Sequence, residues 1–334
     1  MSRLCLYYKQ SPERDRWIPG DRHVRPLIRR LIRGKPRPGG VDKVFINLCR
    51  GLDRLGRDYK VNLPFDQLRP DDTVGVLGRG RHALEGYARD NPIVAGIGLM
   101  THPSEWPNLC EEYPVVRYLQ HSQWANDVYE PYFGEERCTI WPVGIHTDKW
   151  RPQPEKPHST DVLIYDKIMW NREQLVPGLR GAIQDTLRER GISYEIIEYG
   201  SYEPAEYKKA LARCRAMVFL CEHESQGLAY QEALSCDVPI LAWDQGQCLD
   251  PDRFVWGDPH IPATSVPYWD ERCGMTFADA GAFAKQFGAF WERVEAGAFE
   301  PRAYILENLT LEKCAHRYVD IAKRASSDVT EQVS

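Results

Sequence analysis

The stretch AMVFLCEHESQGLAYQEAL, residues 216–234, indicates a strand, a loop and a helix in succession. It begins with six apolar residues, which is typical of a strand buried in a sheet, and its loop carries Glu224 and Gly227. A glycine at a helix start lets the backbone approach a ligand closely, and the helix N-terminus favours an anion such as a phosphate. Glu232, further along the helix, and Glu224 can accept hydrogen bonds from ribose or sugar hydroxyls. The stretch therefore predicts a site for a sugar, a diphosphate and a ribose, although two solvated glutamates on a surface helix would give the same pattern.

Strands and helices alternate along both halves of the chain, which predicts parallel sheets with crossover helices. The predicted strands lie at 3–9, 59–63, 73–77, 93–101, 115–122, 138–144, 161–167, 193–200, 216–221 and 238–243. The predicted helices lie at 39–56, 174–190, 205–214, 228–236, 282–296 and 311–324. We expect the last residues, 326–334, to form a frayed tail.

This alternation predicts an α/β fold of two Rossmann-like domains that face each other across a cleft. The first domain is expected at 1–150 and the second at 151–310, with a closing helix and tail at 311–334 that return the chain to the first domain. Residues 151–158 carry three prolines, which is typical of a linker. Ligands of such sheets bind at the C-terminal ends of the strands.

Composition narrows the class of protein. The 334 residues are 43% hydrophobic and 27% charged, which is typical of a globular chain with two cores, and the net charge of −5 argues against nucleic-acid binding. The aliphatic run 93–100 is too short to span a bilayer, and the first ten residues become charged too early for a signal peptide. Ten scattered cysteines without a CxxC pair favour reduced thiols and a cytoplasmic location.

Two motifs point to other chemistry and are rejected. Gly78-x-Gly80-x-x-Ala83 follows a strand and opens a predicted helix, as in a dinucleotide fingerprint. The acidic residue required about twenty positions later is missing, since Thr101 and His102 stand there. The Asp-Pro-Asp run at 250–252 resembles a metal-binding DxD but follows a strand in an acidic loop, so no metal site is predicted.

The segment that starts at Glu224 resembles the E-x7-E signature of retaining GT-B glycosyltransferases of family 4. Three more segments follow the family pattern in order. They are the Gly-Gly loop and helix at 39–56, the strand at 93–101 that leads to His102, and WPVGIHTDKWRP at 141–152, where His146 replaces the usual Asp. The resemblance covers most of residues 38–325 and implies the GT-B fold.

The resemblance also implies roles in the second domain. Glu232 would bind the ribose of a nucleotide sugar, and Glu224 would lie against the donor sugar. The backbone amides of Gly227 and Leu228 would help to hold the sugar and its phosphates. Family members place the nucleotide base near the loop after the second strand of this domain, where this chain offers Gly200, Ser201 and Tyr202.

Family members hold the diphosphate with an Arg and a Lys after the first strand of the second domain. Here Lys167 and Arg172 stand in the reversed order. In the first domain, Gly39 and Gly40 would let a loop close over the phosphates, and His102 would lie under the sugar near the acceptor. The alternative for His102 is an ordinary loop histidine.

The activity implied is transfer of a sugar, with retention, from a UDP- or GDP-sugar to a hydroxyl of a glycan, lipid-linked or small-molecule acceptor. No cofactor and no metal would be needed. Two alternatives stay open: a nucleotide-sugar epimerase or hydrolase of the same fold, and a non-catalytic GT-B binding subunit.

Residues 22–37 form a basic segment with seven Arg or Lys and no acid. Leu27, Ile28, Leu31 and Ile32 recur between the basic residues, so a helix here would be amphipathic. Such segments lie on anionic membranes or capture anionic acceptors. We therefore expect peripheral contact with the inner face of the membrane, with a solvated helix as the alternative.

Overall fold

A computed structural model of the protein describes residues 3–9, 39–78, 80–153 and 158–332. The chain forms two compact units. Unit 1 takes the described residues up to Leu119, then Tyr129–Thr139 and the described residues from Ala315 onward. Unit 2 takes Gln120–Val128 and Ile140–Cys314. The basic segment 22–37 and linker residues 154–157 lie outside the described residues.

Unit 1 is built on a sheet with the strand order β2-β1-β3-β4-β5-β6. Its strands are β1 (Leu4–Lys9), β2 (Tyr59–Val61), β3 (Thr73–Gly78), β4 (Ile93–Gly96), β5 (Val115–Gln120) and β6 (Cys138–Ile140). Strand β1 pairs in parallel with β2 and β3, β3 with β4, and β4 with β5. The carboxyl ends of these strands therefore meet at one edge of the sheet.

The helices of this half follow from apolar spacing and local capping. They are α1 (Gly40–Arg54), α2 (Leu109–Glu112) and α3 (Gln123–Phe133), with short 3-10 turns at Phe65–Gln67, Arg81–Leu84 and Pro103–Glu105. Helix α1 buries Val44, Leu48 and Leu52, which recur at four-residue spacing on one face. Its Asp42 accepts a hydrogen bond from the Gly39 N–H at 2.6 Å, which closes the first turn.

Unit 2 has an all-parallel sheet with the order β11-β10-β9-β7-β8. Its strands are β7 (Thr160–Lys167), β8 (Tyr194–Glu198), β9 (Cys214–Cys221), β10 (Ile240–Trp243) and β11 (Gly274–Phe277). Lys167 at the end of β7 is in register with Cys221 at the end of β9. The two central strands therefore present their last residues side by side.

Helices cover both faces of this sheet. The helices of unit 2 are α4 (Arg172–Leu175), a π-helical turn (Val176–Gly181), α5 (Ala182–Glu189), α6 (Pro204–Arg213), α7 (Leu228–Ser235), α8 (Arg253–Trp256), α9 (Ala280–Glu295) and α10 (Pro301–Asn308). The last helix, α11 (Leu311–Gln332), belongs to unit 1 from Ala315 onward. Because successive side chains of a strand point to opposite faces, β9 divides between two cores. Phe219 packs with α6 and α7 in one core, and Val218 packs with α5 and α9 in the other.

Most predicted elements are confirmed, but several differ, and helices α3 and α10 and strand β11 were not predicted. The predicted strand 93–101 ends at Gly96, because Ile97 and Gly98 take positive φ angles of 49° and 87° that no strand accommodates. After Gly80 only a 3-10 turn forms, which agrees with the rejection of the dinucleotide fingerprint. The predicted frayed tail is wrong up to Gln332, since α11 continues through it.

Within the described ranges, no helix combines the length and apolarity needed to cross a bilayer. All ten cysteines lie in those ranges, and none is bridged to another.

Candidate functional site

The centre of the candidate site in unit 2 is an ion pair between Lys167 and Glu224. Lys167 ends β7, and Glu224 lies three residues beyond the end of β9. The Lys167 ammonium donates to the Glu224 carboxylate, and the two side chains are only 19% and 13% exposed. Burial lowers the pKa of Lys167, but the Glu224 charge outweighs this effect, so the pKa is raised and the ammonium is charged. The ammonium also lies 4.9 Å from the ring centre of Tyr199.

The loop between Lys167 and Arg172 is held by the buried carboxylate of Glu222. This carboxylate accepts hydrogen bonds from the backbone N–H groups of Met169, at 2.9 Å, and Trp170, at 3.0 Å. Burial raises the pKa of Glu222, and the two N–H groups work against that rise. Glu222 therefore fixes the path of the loop that leaves the end of β7.

Arg172 pairs with a different carboxylate from the one that Lys167 contacts. Its guanidinium forms a two-pronged pair with Asp166, at 2.9 and 3.0 Å, and donates to the Ile168 carbonyl at 2.6 Å. Arg180 also reaches Asp166, at 2.5 Å, so one fully buried carboxylate holds two arginines. Burial alone would raise the pKa of Asp166, but the hydrogen bonds from Arg172 and the neighbouring groups lower it. The predicted Lys–Arg clamp is thus divided between two anchors.

Gly227 caps helix α7 with a backbone that only glycine adopts without strain. Its φ is 78°, and a Cβ at this position would lie 2.0 Å from the ring of Tyr230. Since the cap has no side chain, it makes no side-chain bond to the amides of the first turn, which begins at Leu228. Those amides are the groups that an anion would meet.

Glu232 lies on α7 and is almost fully buried at 7% exposure. Burial is the main cause that raises the pKa of Tyr202 to about 12; its hydrogen bond with Tyr165 lowers it, and the charge of Glu232 raises it further. Burial is also the main cause that raises the pKa of Tyr207, and the charge of Glu232 adds to that rise. The Glu232 carboxylate therefore lies near enough to both tyrosines to influence their charge.

The loop after β8 carries the predicted base-binding residues. Gly200 turns the chain with a φ of 85°, and the Ser201 hydroxyl donates to the Glu198 carbonyl at 2.8 Å. The hydroxyl of Tyr202 is 2.7 Å from that of Tyr165, so the ring is tied to the core beneath the sheet edge. The fold thus brings this loop to the same edge as Lys167.

An aromatic cluster around His223 supports the Glu224 loop and was missed by sequence reasoning. The Trp170 ring stacks on His223 at 5.2 Å, and Trp124 meets the imidazole edge-on at 5.6 Å. The Trp124 indole N–H donates to the Glu224 carbonyl at 2.9 Å. Burial lowers the pKa of His223 to about 4, so the imidazole is neutral at pH 7. The only sequence signal was a histidine beside the predicted site glutamate.

Unit 1 brings the predicted glycine pair close to the loop that leads to His102. Gly40 opens α1, and Asp42 ties Gly39 to β1 through a hydrogen bond from the Tyr8 hydroxyl. A Cβ on Gly98, in the loop after β4, would come within 3.1 Å of Val41. The close approach of that loop to the start of α1 accounts for the glycine at 98.

His102 is buried and caps the 3-10 turn at Pro103–Glu105. Its Nδ1 accepts from the Ser104 N–H at 3.2 Å and lies 2.8 Å from the Ser104 hydroxyl. The ring also meets Tyr132 edge-on at 5.7 Å. These contacts fix the orientation of the imidazole within unit 1.

The departure from the family pattern at His146 and the rejected metal motif at 250–252 both have local structural roles. His146 does what the usual aspartate can do, because its Nδ1 accepts from the backbone N–H of Lys149 at 3.2 Å. Asp250 accepts from the N–H of Asp252 at 2.9 Å and so shapes a turn. Among the described residues, no group of three or more His, Cys, Asp or Glu is placed to hold a metal ion.

Solved structures similar to this chain include glycosyltransferases. AviGT4, a glycosyltransferase involved in avilamycin A biosynthesis, shares 14% identity over 97% of this chain and 98% of its own, with a TM-score of 0.58. The lipopolysaccharide outer core galactosyltransferase WaaB shares 11% identity over 96% and 99% of the two chains, with a TM-score of 0.52. A TarM variant from S. aureus, solved with fondaparinux, α-GlcNAc-glycerol and UDP, shares 10% identity over 84% of this chain and 58% of its own, with a TM-score of 0.54.

No family profile and no curated protein sequence matches the chain. The structural likeness and the two sheets show that the chain has the two-domain α/β GT-B fold, which confirms the fold predicted from sequence.

Proposed function

We propose that the protein is a metal-independent, retaining glycosyltransferase that moves a sugar from a nucleoside diphosphate sugar to a hydroxyl acceptor. One observation carries the proposal. The Lys167–Glu224 pair stands at the carboxyl ends of two adjacent parallel strands, where α/β sheets bind ligands. Glu232 and the uncapped first turn of α7 follow directly in the chain. Retention is proposed from the E-x7-E resemblance.

The charges at this edge suit a leaving diphosphate. Negative charge grows on the leaving phosphate in the transition state, and preorganised cations and amides stabilise it there. Lys167 supplies the cation, and the amides of α7 from Leu228 onward supply aligned dipoles. Glu224 is then positioned to accept hydrogen bonds from the donor sugar, and Glu232 those from the ribose.

The structure leads us to weight the two predicted cations differently. Lys167 is held by a single carboxylate, that of Glu224, which would also contact the donor sugar. A bound donor can therefore share the Lys167 ammonium with Glu224. Arg172 is held by buried Asp166 and by a backbone carbonyl. We propose that Lys167 contacts the diphosphate, whereas Arg172 stabilises the loop that presents it.

A binding screen tests the proposal first. UDP, GDP, ADP and TDP are compared by thermal shift, because a nucleotide that binds the folded protein raises its midpoint by mass action. The similar TarM structure contains UDP, which makes a uridine nucleotide the first to try. Incubation of the matching nucleotide sugar with and without acceptors then separates a transferase from an epimerase or a hydrolase. The anomeric configuration of the product, read by NMR, tests retention.

Glu232→Ala is the sharpest variant for the donor site. Loss of hydrogen bonds to a charged acceptor costs about 1.5–3 kcal/mol, so nucleotide affinity measured by calorimetry should fall roughly tenfold to a hundredfold. Glu292→Ala, on the exposed side of α9, is the matched control and should bind as wild type. Equal affinity in all three proteins would remove Glu232 from the ribose site.

We further propose that segment 22–37 binds an anionic membrane or an anionic acceptor. Co-sedimentation with anionic vesicles tests it, with Arg25, Arg29, Arg30 and Arg33 all changed to Ser as the comparison. Wild type should pellet at low salt and release as salt rises, because a membrane-surface Arg contributes about 1 kcal/mol that salt screens. If neither protein pellets and both transfer sugar equally to a soluble acceptor, the segment has neither role.

A further inference from the structure

A cavity of about 170 Å³ opens in unit 2 at the opposite edge of the sheet from the candidate donor site. Its floor includes Cys214, the first residue of β9, and Val238, just before β10. The candidate donor site lies beyond the last residue of β9. Seven residue steps of a strand separate the two ends, which is about 23 Å. The cavity is therefore a different place from the site described above.

The charges around this cavity are mainly positive. Lys208 is half-buried in its wall, and Arg151 lies at its rim. Neither forms an ion pair with a carboxylate in the described parts of the chain. Arg215 also lines the cavity, but it forms an ion pair with Asp161 at 3.5 Å. A half-buried ammonium that faces a cavity, with no carboxylate paired to it among the described residues, favours the arrival of an anion.

The remaining polar groups offset only part of this positive charge. Asp237 is the one carboxylate among the lining residues, and its Oδ1 already accepts a hydrogen bond from the Arg302 backbone N–H at 3.2 Å. His158 donates from Nδ1 to the Cys214 carbonyl at 2.9 Å, which fixes its ring at the rim. Burial raises the pKa of Cys236 to about 12, so this thiol in the floor is neutral.

We infer that this cavity is a binding site for a small phosphate-class anion, either inorganic phosphate or a short phosphomonoester. The size supports this class of ligand. A volume of about 170 Å³ holds a few water-sized groups. Drug-sized ligands occupy roughly 300–1,000 Å³, which excludes a nucleoside diphosphate sugar. Lys208 and Arg151 would contact the anion, and neither has a part in the proposed sugar transfer.

Calorimetry with inorganic phosphate at constant ionic strength tests the inference. Lys208→Gln should weaken phosphate binding by about tenfold or more, because a hydrogen bond to a charged group is lost. Arg151→Gln should weaken it less, since this side chain is at the exposed rim. Lys209→Gln changes the next residue of the same helix, which does not line the cavity, and should bind phosphate as wild type.

Phosphate could also bind among the donor-site cations, so Lys167→Met is measured in parallel. Equal phosphate affinity in wild type and Lys167→Met, with loss in Lys208→Gln, places the anion in the cavity whether or not the proposed sugar transfer holds. Loss in Lys167→Met with no change in Lys208→Gln and Arg151→Gln would overturn the inference, as would the absence of binding at about 10 mM phosphate. A thermal melt of each variant without phosphate shows whether the variant is folded. If Lys208→Gln does not fold, Arg151→Gln provides the test of the cavity.

Discussion

Replacing Lys167 with methionine removes the ammonium of the central ion pair but keeps a side chain of similar length. Glu224 then stays 13% exposed at the sheet edge without its cation. A carboxylate in that position loses most of its hydration and keeps only a weak hydrogen bond from the Cys221 thiol, at 3.8 Å. We therefore expect the variant to fold and to be less stable than wild type.

The partial burial of the ion pair sets the range of the expected loss of stability. Removing one partner of a fully buried pair costs about 3–5 kcal/mol, whereas an exposed pair contributes below about 1 kcal/mol. Because the Lys167 side chain is 19% exposed, we expect a loss of about 2–3 kcal/mol in the free energy of unfolding of unit 2. For a domain of this size the loss corresponds to about 5–10 °C in the midpoint.

Urea unfolding followed by tryptophan fluorescence measures the loss, since most of the described tryptophans lie in unit 2. A double-mutant cycle with Glu224→Gln isolates the pair, and its coupling energy should be about 2 kcal/mol. Lys285→Met, on the exposed side of α9, is the control and should change stability by less than about 0.5 kcal/mol.

The pH dependence adds a second check. The pKa of Lys167 is raised in the folded state, so its stabilising contribution is complete below the unfolded value of about 10.4 and is lost as pH rises through the folded value. The difference between wild type and Lys167→Met should therefore be constant from about pH 7 to 9 and shrink above about pH 10. A coupling energy near zero, or a difference that does not change up to pH 11, would refute the reasoning.

Three further predictions concern neighbouring residues. Gly227→Ala should destabilise unit 2 by about 3 kcal/mol in urea unfolding, from left-handed strain and the clash with Tyr230, whereas Gly178→Ala, in open space with a negative φ, should be tolerated. Asp166→Asn should lower the free energy of unfolding by about 3 kcal/mol at pH 7. Because the pKa of Asp166 is lowered in the folded state, wild type should lose this advantage as pH falls below about 4. The acid-unfolding curves of the two proteins should therefore converge. Arg172→Met should lower stability more than turnover, and a loss of kcat as large as that of Lys167→Met would contradict the division of the two cations.

Much of unit 2 was predictable because its strands are buried on both faces. A strand such as β9 then reads as an uninterrupted apolar run, and parallel strands bring their carboxyl ends to one edge. From these two facts alone Lys167 and Glu224 are expected at the same edge, although they are 57 positions apart. The register that sets Lys167 beside Cys221 is not readable from the sequence.

There is a physical reason why the residues that support the candidate site could not be predicted from the sequence. Glu222 and Asp166 look like ordinary solvated acids in the sequence, and only the fold shows that both are buried. The partners of Glu222 are backbone amides more than 50 positions away, which carry no sequence signature. The early end of β4 was hidden for a similar reason, since Ile97 is an apolar residue that gives no sign of its positive φ.

Gly227 and Tyr230 restrict each other's evolution. The Tyr230 ring occupies the space that any side chain at 227 would need, and the ring itself is fully buried against Phe219. A change at 227 must therefore follow a smaller residue at 230, and that first step leaves a cavity in the core. Even then the positive φ at 227 continues to disfavour every residue except glycine. The two positions form an epistatic pair in which either order of substitution passes through a less stable intermediate, so the turn that opens α7 is expected to change only together with the core beneath it.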